Sequence, residues 1–259
     1  MGWWISIECG KSRLYFLLLC EELSMDFATL TITGPGPNAI SHDTVRRLRD
    51  ELAAAGERPV LLTGEGRAFS AGLDLKALAT MTAEQFGEFL GDLEALGRDL
   101  FLHPAPTVAS IHGHCVAGGY LIAACCERRI SKNDDAIRFG LPAVRLGLQY
   151  PPVLLNAVKY AIHRESWEEV LLGAVQVGAL RAKEMGMVEE LVDDPRARAE
   201  EWLASRAKLP REAYAATKRS LREPWVTISE EEKRRFQEDV IPSWADPERL
   251  QRLLDATKK

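Results

Sequence analysis

The sequence has no apolar run long enough to cross a membrane, no CxxC pair, no fixed-period repeat and no low-complexity tract. Each absence removes a class. A spanning helix needs about 20 consecutive apolar residues, and the run from Leu14 to Cys20 falls far short. That run is also a poor signal peptide, because Glu8 lies upstream, Glu21 and Glu22 follow at once, and no small-x-small cleavage site appears. Cys9, Cys20, Cys115, Cys125 and Cys126 are odd in number and unpaired in spacing, which excludes a zinc framework and points to a reduced, cytoplasmic compartment. Neither G-x-G-x-x-G nor G-x-x-x-x-G-K-S/T stands in a strand-helix context, so a Rossmann or P-loop nucleotide site is excluded. Basic residues number 33 against 38 acidic, a formal charge of −5 that offers no electrostatic footprint for nucleic acid.

What is present is enough for a substantial core: 259 residues, 46% hydrophobic and 27% charged. Organised pattern begins at Met25, so residues 1–24 read as an N-terminal extension and Met25 as an alternative start. Phe27 to Thr33 reads as a strand and Gly34-Pro35-Gly36-Pro37 as a turn. Ser41 is placed to N-cap a helix that buries Val45, Leu48 and Leu52, and Gly56 stops it before the strand Pro59 to Thr63. A second cycle follows: a helix near Glu84 to Leu102, a break at Pro104 and Pro106, a strand at Thr107 to Ile111, and a helix from Gly118 to about Glu127. Repeated units of this kind predict an α/β fold with a largely parallel sheet.

Strand signals stop near Val192. Amphipathic stretches at Arg196 to Lys208, Arg211 to Leu221, Ser229 to Val240 and Pro247 to Ala256 predict a helical C-terminal appendage. Leu203, Tyr214, Leu221, Phe236, Leu250 and Leu254 supply its apolar face, to be buried in a core or against another subunit.

Two glycine-containing turns carry the chemical signal: Arg67 to Lys76 after the strand Pro59 to Thr63, and Ile111 to Tyr120, where a strand runs into a helix. Small residues there let a ligand approach free backbone N–H groups, and two such groups aimed at one oxygen would make an oxyanion hole. Taken singly, either turn also reads as close helix-strand packing.

Together they form an ordered pattern. TGEGRAFSAGLDLK (residues 63–76), ASIHGHCVAGGYLIAACCERRI (109–130), IRFGLPAVRLGL (137–148) and ALRAKEMGMVEELV (179–192) follow one another, and from Met25 onward the chain resembles the enoyl-CoA hydratase/isomerase (crotonase) superfamily. The resemblance implies a spiral of ββα repeats over residues 25–193 and a helical C-terminal oligomerisation region over 194–259, with a homotrimer or hexamer as the assembly. It implies an acyl-CoA ligand, with CoA as part of the thioester substrate, and no prosthetic group, no metal, no nucleic acid and no membrane. The backbone N–H groups of Leu73 and Gly118 would form the oxyanion hole, and Ala71, Asp74 and Leu75 would line the adenine pocket. Lys76 falls where the family places a basic residue near the CoA ribose phosphate; a solvated lysine at a helix start is the equal alternative.

The resemblance fails at two positions. Hydratases of the family use one glutamate in the helix after the second oxyanion turn and another in the following loop, and Leu121 and Ala143 stand there. Neither side chain does acid-base chemistry. Polar groups left nearby are His112 and His114, either of which could titrate near neutral pH, Arg145, a possible carboxylate binder, and Cys115. Tyr150 ends VRLGLQY (144–150), which is similar to the segment that places an active-site tyrosine in a crotonase-fold decarboxylase, methylmalonyl-CoA decarboxylase. Packing beside Pro151 and Pro152 is the alternative for that ring. Three readings follow: an acyl-CoA enzyme of altered mechanism, a malonyl-type decarboxylase within that class, and a CoA-thioester-binding protein without turnover.

Overall fold

A computed structural model describes residues 26–244 together with Asp246, Glu248, Gln251, Arg252 and Asp255. The expectations for residues 1–24, Leu250 and Leu254 lie outside the described residues. The chain alternates long and short strands: β1 (Ala28–Ile32), β2 (Ala39–Ile40), helix α1 (His42–Ala55), β3 (Val60–Gly64), β4 (Gly72–Leu73) and the single turn α2 (Leu75–Leu78). It continues with α3 (Ala83–Leu102), β5 (Thr107–Ile111), β6 (Cys115–Val116), α4 (Gly118–Ala123), β7 (Arg128–Lys132) and β8 (Phe139–Gly140). A 3-10 turn at Ala143–Leu146 leads to α5 (Pro152–Ala161), β9 (Gln176–Val177), α6 (Ala179–Glu184) and β10 (Glu190–Val192). The helices α7 (Pro195–Ala207), α8 (Arg211–Val226), α9 (Glu230–Arg235) and α10 (Ile241–Trp244) close the described chain.

The long strands form one all-parallel sheet in the order β1-β3-β5-β7-β10. The short ones form two smaller sheets beside it, β2-β4 and β6-β8-β9. Each of β1, β3, β5 and β7 is thus followed by a short strand, which is the ββα spiral, and β10 runs directly into α7.

Local signals set these elements. Ser41 Oγ accepts Thr44 N–H at the start of α1, and Gly56 ends it at φ 60°, a conformation that favours glycine. Thr82 and Gln85 make a reciprocal capping box at the start of α3. β3 and β5 are buried along their whole length, as parallel strands covered on both faces must be. α1, α3, α4 and α5 pack over one face in a continuous core that includes Leu48, Phe89, Leu93 and Phe101. Truncating any one of these to Ala is worth about 2–5 kcal/mol.

The first C-terminal helix does not stand clear of the sheet as an appendage. α7 covers the sheet's other face, setting Ala199, Trp202 and Leu203 against Leu61, Val108 and Ile130. α8 docks through two buried cations. Lys218 Nζ donates to Ala105 O (2.8 Å) and Glu127 Oε1 (2.6 Å), and Arg222 donates to Phe101 O and Cys125 O, both at 3.1 Å. Arg222 thereby satisfies carbonyls at the ends of α3 and α4, which helices leave unpaired. Of the expected apolar positions, Leu203 and Phe236 are buried, whereas Leu221 is 58% exposed.

Candidate active site

Asn38 organises the first turn from outside it. Its backbone sits at φ 59°, and its Nδ2 donates to Glu65 O and Ala68 O, both at 2.8 Å. Ser70, fully buried, donates Oγ–H to Asn38 O (2.8 Å) and accepts Gly72 N–H (3.1 Å). Ala71 N–H bonds Pro37 O and Asp74 N–H bonds Ile40 O, each at 2.9 Å. Amide directions alternate along a strand. With Asp74 N–H given to β2, the N–H of Leu73 turns the other way, toward the second turn.

The second turn is pinned to the first. His114 O accepts the N–H groups of Phe69 (3.1 Å) and Ser70 (2.9 Å), and Val116 N–H bonds Ser70 O at 3.1 Å. A β-carbon on Gly113 would lie 2.2 Å from Arg67 O, so only glycine allows this approach. Ala117 is held at φ 49°, ψ −124°, with its N–H on Gly140 O at 2.8 Å. This unfavourable backbone for an L-residue aims the next amide, Gly118 N–H, at the start of α4. A β-carbon on Gly118 would sit 3.3 Å from Leu73 N, and one on Gly72 would sit 3.0 Å from Gly118 N. Leu73 N and Gly118 N therefore lie close together where the two turns meet, with Leu73 Cδ2 and Ala117 Cβ packed beside them.

Both open into a cavity of about 820 Å³. Its inner wall is apolar, built by Leu90 and Leu93 of α3, by Leu141 and Leu148, and by Trp244, which stacks on Phe86 with ring centroids 4.4 Å apart. Leu121 and Ala143 line it as well, so both positions that lack a glutamate face this space.

Arg145 and Tyr150 reach the same cavity, already engaged. Arg145 donates Nη2–H to Ala174 O at 3.0 Å, and Tyr150 donates its hydroxyl to Leu141 O at 2.6 Å. Burial pushes the Tyr150 phenol up to about 12, so it stays protonated. Ala71 and Leu75 lie on the cavity wall. Asp74 instead caps α2, accepting Lys76 N–H and Ala77 N–H at 3.1 Å each, and Lys76 is exposed. His114 does not join these groups: it is exposed, and its Nδ1 accepts Arg138 N–H at 3.0 Å. His112 is held below the usual histidine range by burial, and the buried Cys115 thiol is pushed well above its ordinary value, which leaves it an unreactive packing group. Among the described residues no group of His, Cys, Asp and Glu could hold a metal ion, and no helix is long and apolar enough to cross a membrane.

Sequence reasoning overlooked Asn38, Gln176 and Trp244. Asn38 had a usable signal, an Asn closing a Pro-Gly-Pro turn where left-handed backbone is common. Gln176 lies in a two-residue strand and Trp244 in a four-residue helix, too short for any periodicity.

The chain is a β/α spiral whose two glycine turns meet beside a largely apolar cavity. The family model described as Enoyl-CoA hydratase/isomerase matches residues 23–255, and the chain belongs to that family, part of the crotonase superfamily. A Thermus thermophilus protein provisionally named an enoyl-CoA hydratase is 34% identical over 150 residues, covering 57% of this chain and 58% of its own. A Bacillus subtilis protein with a similarly provisional enoyl-CoA hydratase name is 34% identical over 130 residues, covering 47% and 48%. The chain thus spans about half the length of the curated relatives it matches. Human mitochondrial delta3-delta2-enoyl-CoA isomerase superposes with a TM-score of 0.79 at 22% identity, covering 89% of this chain and 93% of its own. A Pseudomonas syringae enoyl-CoA hydratase/isomerase family protein gives 0.77 at 22% identity, covering 85% and 96%. These likenesses establish the crotonase fold.

Proposed function

We propose that the protein binds an acyl-CoA thioester with its carbonyl oxygen between the amides of Leu73 and Gly118, and turns it over without a pair of catalytic carboxylates. One observation supports this reading: the backbones of Leu73 and Gly118 come together where the two glycine turns meet, and both residues line a largely apolar cavity. Hydrogen bonds from both amides strengthen as the carbonyl oxygen becomes an enolate, so they favour reactions through that species. Ala71 and Leu75 are proposed to flank the CoA moiety, with Asp74 fixing their loop through its cap on α2 and Lys76 near the ribose phosphate. Leu121 and Ala143 argue against water addition by paired glutamates. A homotrimer or a pair of trimers is proposed from the family, consistent with exposed apolar side chains such as Leu172 and Leu221. A cytoplasmic location is proposed from the free buried thiols of Cys115, Cys125 and Cys126.

A second reading, loss of carbon dioxide from a malonyl-type thioester, is favoured by Arg145 and Tyr150 lining the same cavity as the two amides. Such a reaction yields an enolate directly and needs no paired glutamates. Turnover-free binding, the third possibility, is favoured by no separate feature of the cavity. Calorimetric titration tests the thioester reading. An acyl-CoA is expected to bind at least tenfold more tightly than free CoA, and equal affinities would count against a site for the carbonyl and acyl groups.

A further inference from the structure

In the small sheet β6-β8-β9, Val116 pairs with Gly140, and Gly140 pairs with Gln176. Residues in one row of a sheet project to the same face, and neighbouring strands lie roughly 5 Å apart. Val116 and Gln176 both line the cavity, with a glycine between them. A β-carbon on Gly140 would meet Gln176 Cγ at 3.0 Å, so the missing side chain leaves room for the Gln176 chain to lie across the row toward the oxyanion turn. Gly140 is also the residue whose carbonyl holds Ala117 N–H at 2.8 Å, one position before Gly118. Gln176 thus stands on β9, paired with the strand β8 whose Gly140 carbonyl holds the residue before Gly118.

Other polar side chains lining the cavity are those of Tyr150, Arg145 and Gln149, together with Arg252 and Asp255 beyond α10. Tyr150 gives its proton to Leu141 O, and Arg145 spends an N–H on Ala174 O, two residues before Gln176. Ala174 is buried at φ 50°, so Arg145 pins the strained turn from which β9 starts. Gln149 sits in irregular chain before Pro151. The Gln176 side chain is exposed to the cavity and takes no partner among the described residues.

We infer that Gln176 is a specificity-determining residue that selects acyl-CoA thioesters bearing a hydroxyl group close to the thioester. This rests on the thioester reading above and deepens it. A carboxamide offers both donor and acceptor and carries no charge. A hydroxyl answers both, whereas a carboxylate can accept only from the amide N–H groups and leaves the amide oxygen without a donor. Because Gln176 cannot transfer a proton at neutral pH, it orients the acyl group and takes no part in acid-base steps.

The test is the affinity of the full chain for butyryl-CoA, 3-hydroxybutyryl-CoA and malonyl-CoA, with and without Gln176→Met, which keeps the length and removes the hydrogen bonds. One to two hydrogen bonds predict that the wild type prefers 3-hydroxybutyryl-CoA over butyryl-CoA by about tenfold. In Gln176→Met the two should bind within about twofold of each other, with an unchanged melting temperature. A preference that survives the substitution, no preference in the wild type, or tightest binding of malonyl-CoA would overturn the assignment. Failure of the wild type to bind any of the three esters would instead overturn the thioester reading beneath it.

Discussion

Leu73 N lies 3.3 Å from the point a β-carbon of Gly118 would occupy, so glycine at 118 keeps open the space that two amides share. Such a β-carbon would also press on Leu73 Cδ2 at 2.6 Å, a flexible side-chain end that can move aside. Gly118→Ala is therefore expected to fold and to lose function. Alanine keeps the backbone N–H, but its methyl crowds the space the carbonyl oxygen would enter. Losing an oxyanion contact costs about 10²–10³ in kcat, and a loss of that size on the best acyl-CoA substrate, with unchanged circular dichroism, is the predicted outcome. A variant within fivefold of wild type would place the carbonyl elsewhere.

The apolar pair Leu121 and Ala143 makes a gain-of-function prediction. Both face the cavity, and positioned general acid-base groups contribute about 10²–10⁴ in rate. Ala143→Glu with Leu121→Glu should raise crotonyl-CoA hydration at least about 10²-fold over wild type, followed by loss of the enoyl absorbance. Equal rates would show that another group already supplies the proton transfer.

Ala117 bears on stability as well as geometry. A left-handed backbone at a non-glycine residue costs about 1–3 kcal/mol, of which glycine would relieve most, less its own entropy of about 0.5–1 kcal/mol. Ala117→Gly should raise the free energy of urea unfolding by about 1 kcal/mol. Ala117→Val should lower it by at least about 2 kcal/mol, since a β-branched residue tolerates this region least.

His103 gives a pH dependence. Its ring is 5% exposed and its Nε2–H is placed to donate to Arg58 O at 2.8 Å, and burial lowers its tendency to take a proton. The unfolded chain, with an ordinary histidine pKa near 6.5, therefore binds a proton at a higher pH than the folded chain does. Stability from this group is fully present above about pH 6.5 and is lost as the pH falls below it. Urea midpoints at pH 7.5 and 5.5 should show a larger acid-induced drop for the wild type than for His103→Gln. Equal drops would mean the ring is protonated alike in both states.

Much of the fold was readable where local chemistry decides it. The Ser41 cap, the Val45-Leu48-Leu52 face, the Gly56 stop and the strand Thr107–Ile111 all follow from neighbouring residues alone, and all are present. The helix expected to run from Gly118 to Glu127 ends at Ala123, and that expected to end at Leu221 continues past Pro224 to Val226. Long-range bonds accompany both differences: Arg222 of α8 takes the carbonyls of Cys125 and Cys126, an interaction between residues distant in sequence. For α7 the amphipathic pattern announced a buried face and could not say that the sheet would cover it. At the site, the glycine turns were visible as turns, but their convergence depends on Asn38, Ser70 and the two-residue strands, which carry no periodic signal.

The most direct test of the central claim is mass-spectrometric detection of products after purified protein meets a panel of enoyl-, 3-hydroxyacyl- and malonyl-type CoA esters. The account predicts thioester turnover that Gly118→Ala lowers by about 10²–10³ and water addition to crotonyl-CoA near background. Rapid hydration of crotonyl-CoA by the wild type would contradict it, because a working acid-base pair would then exist in a cavity where Leu121 and Ala143 supply none.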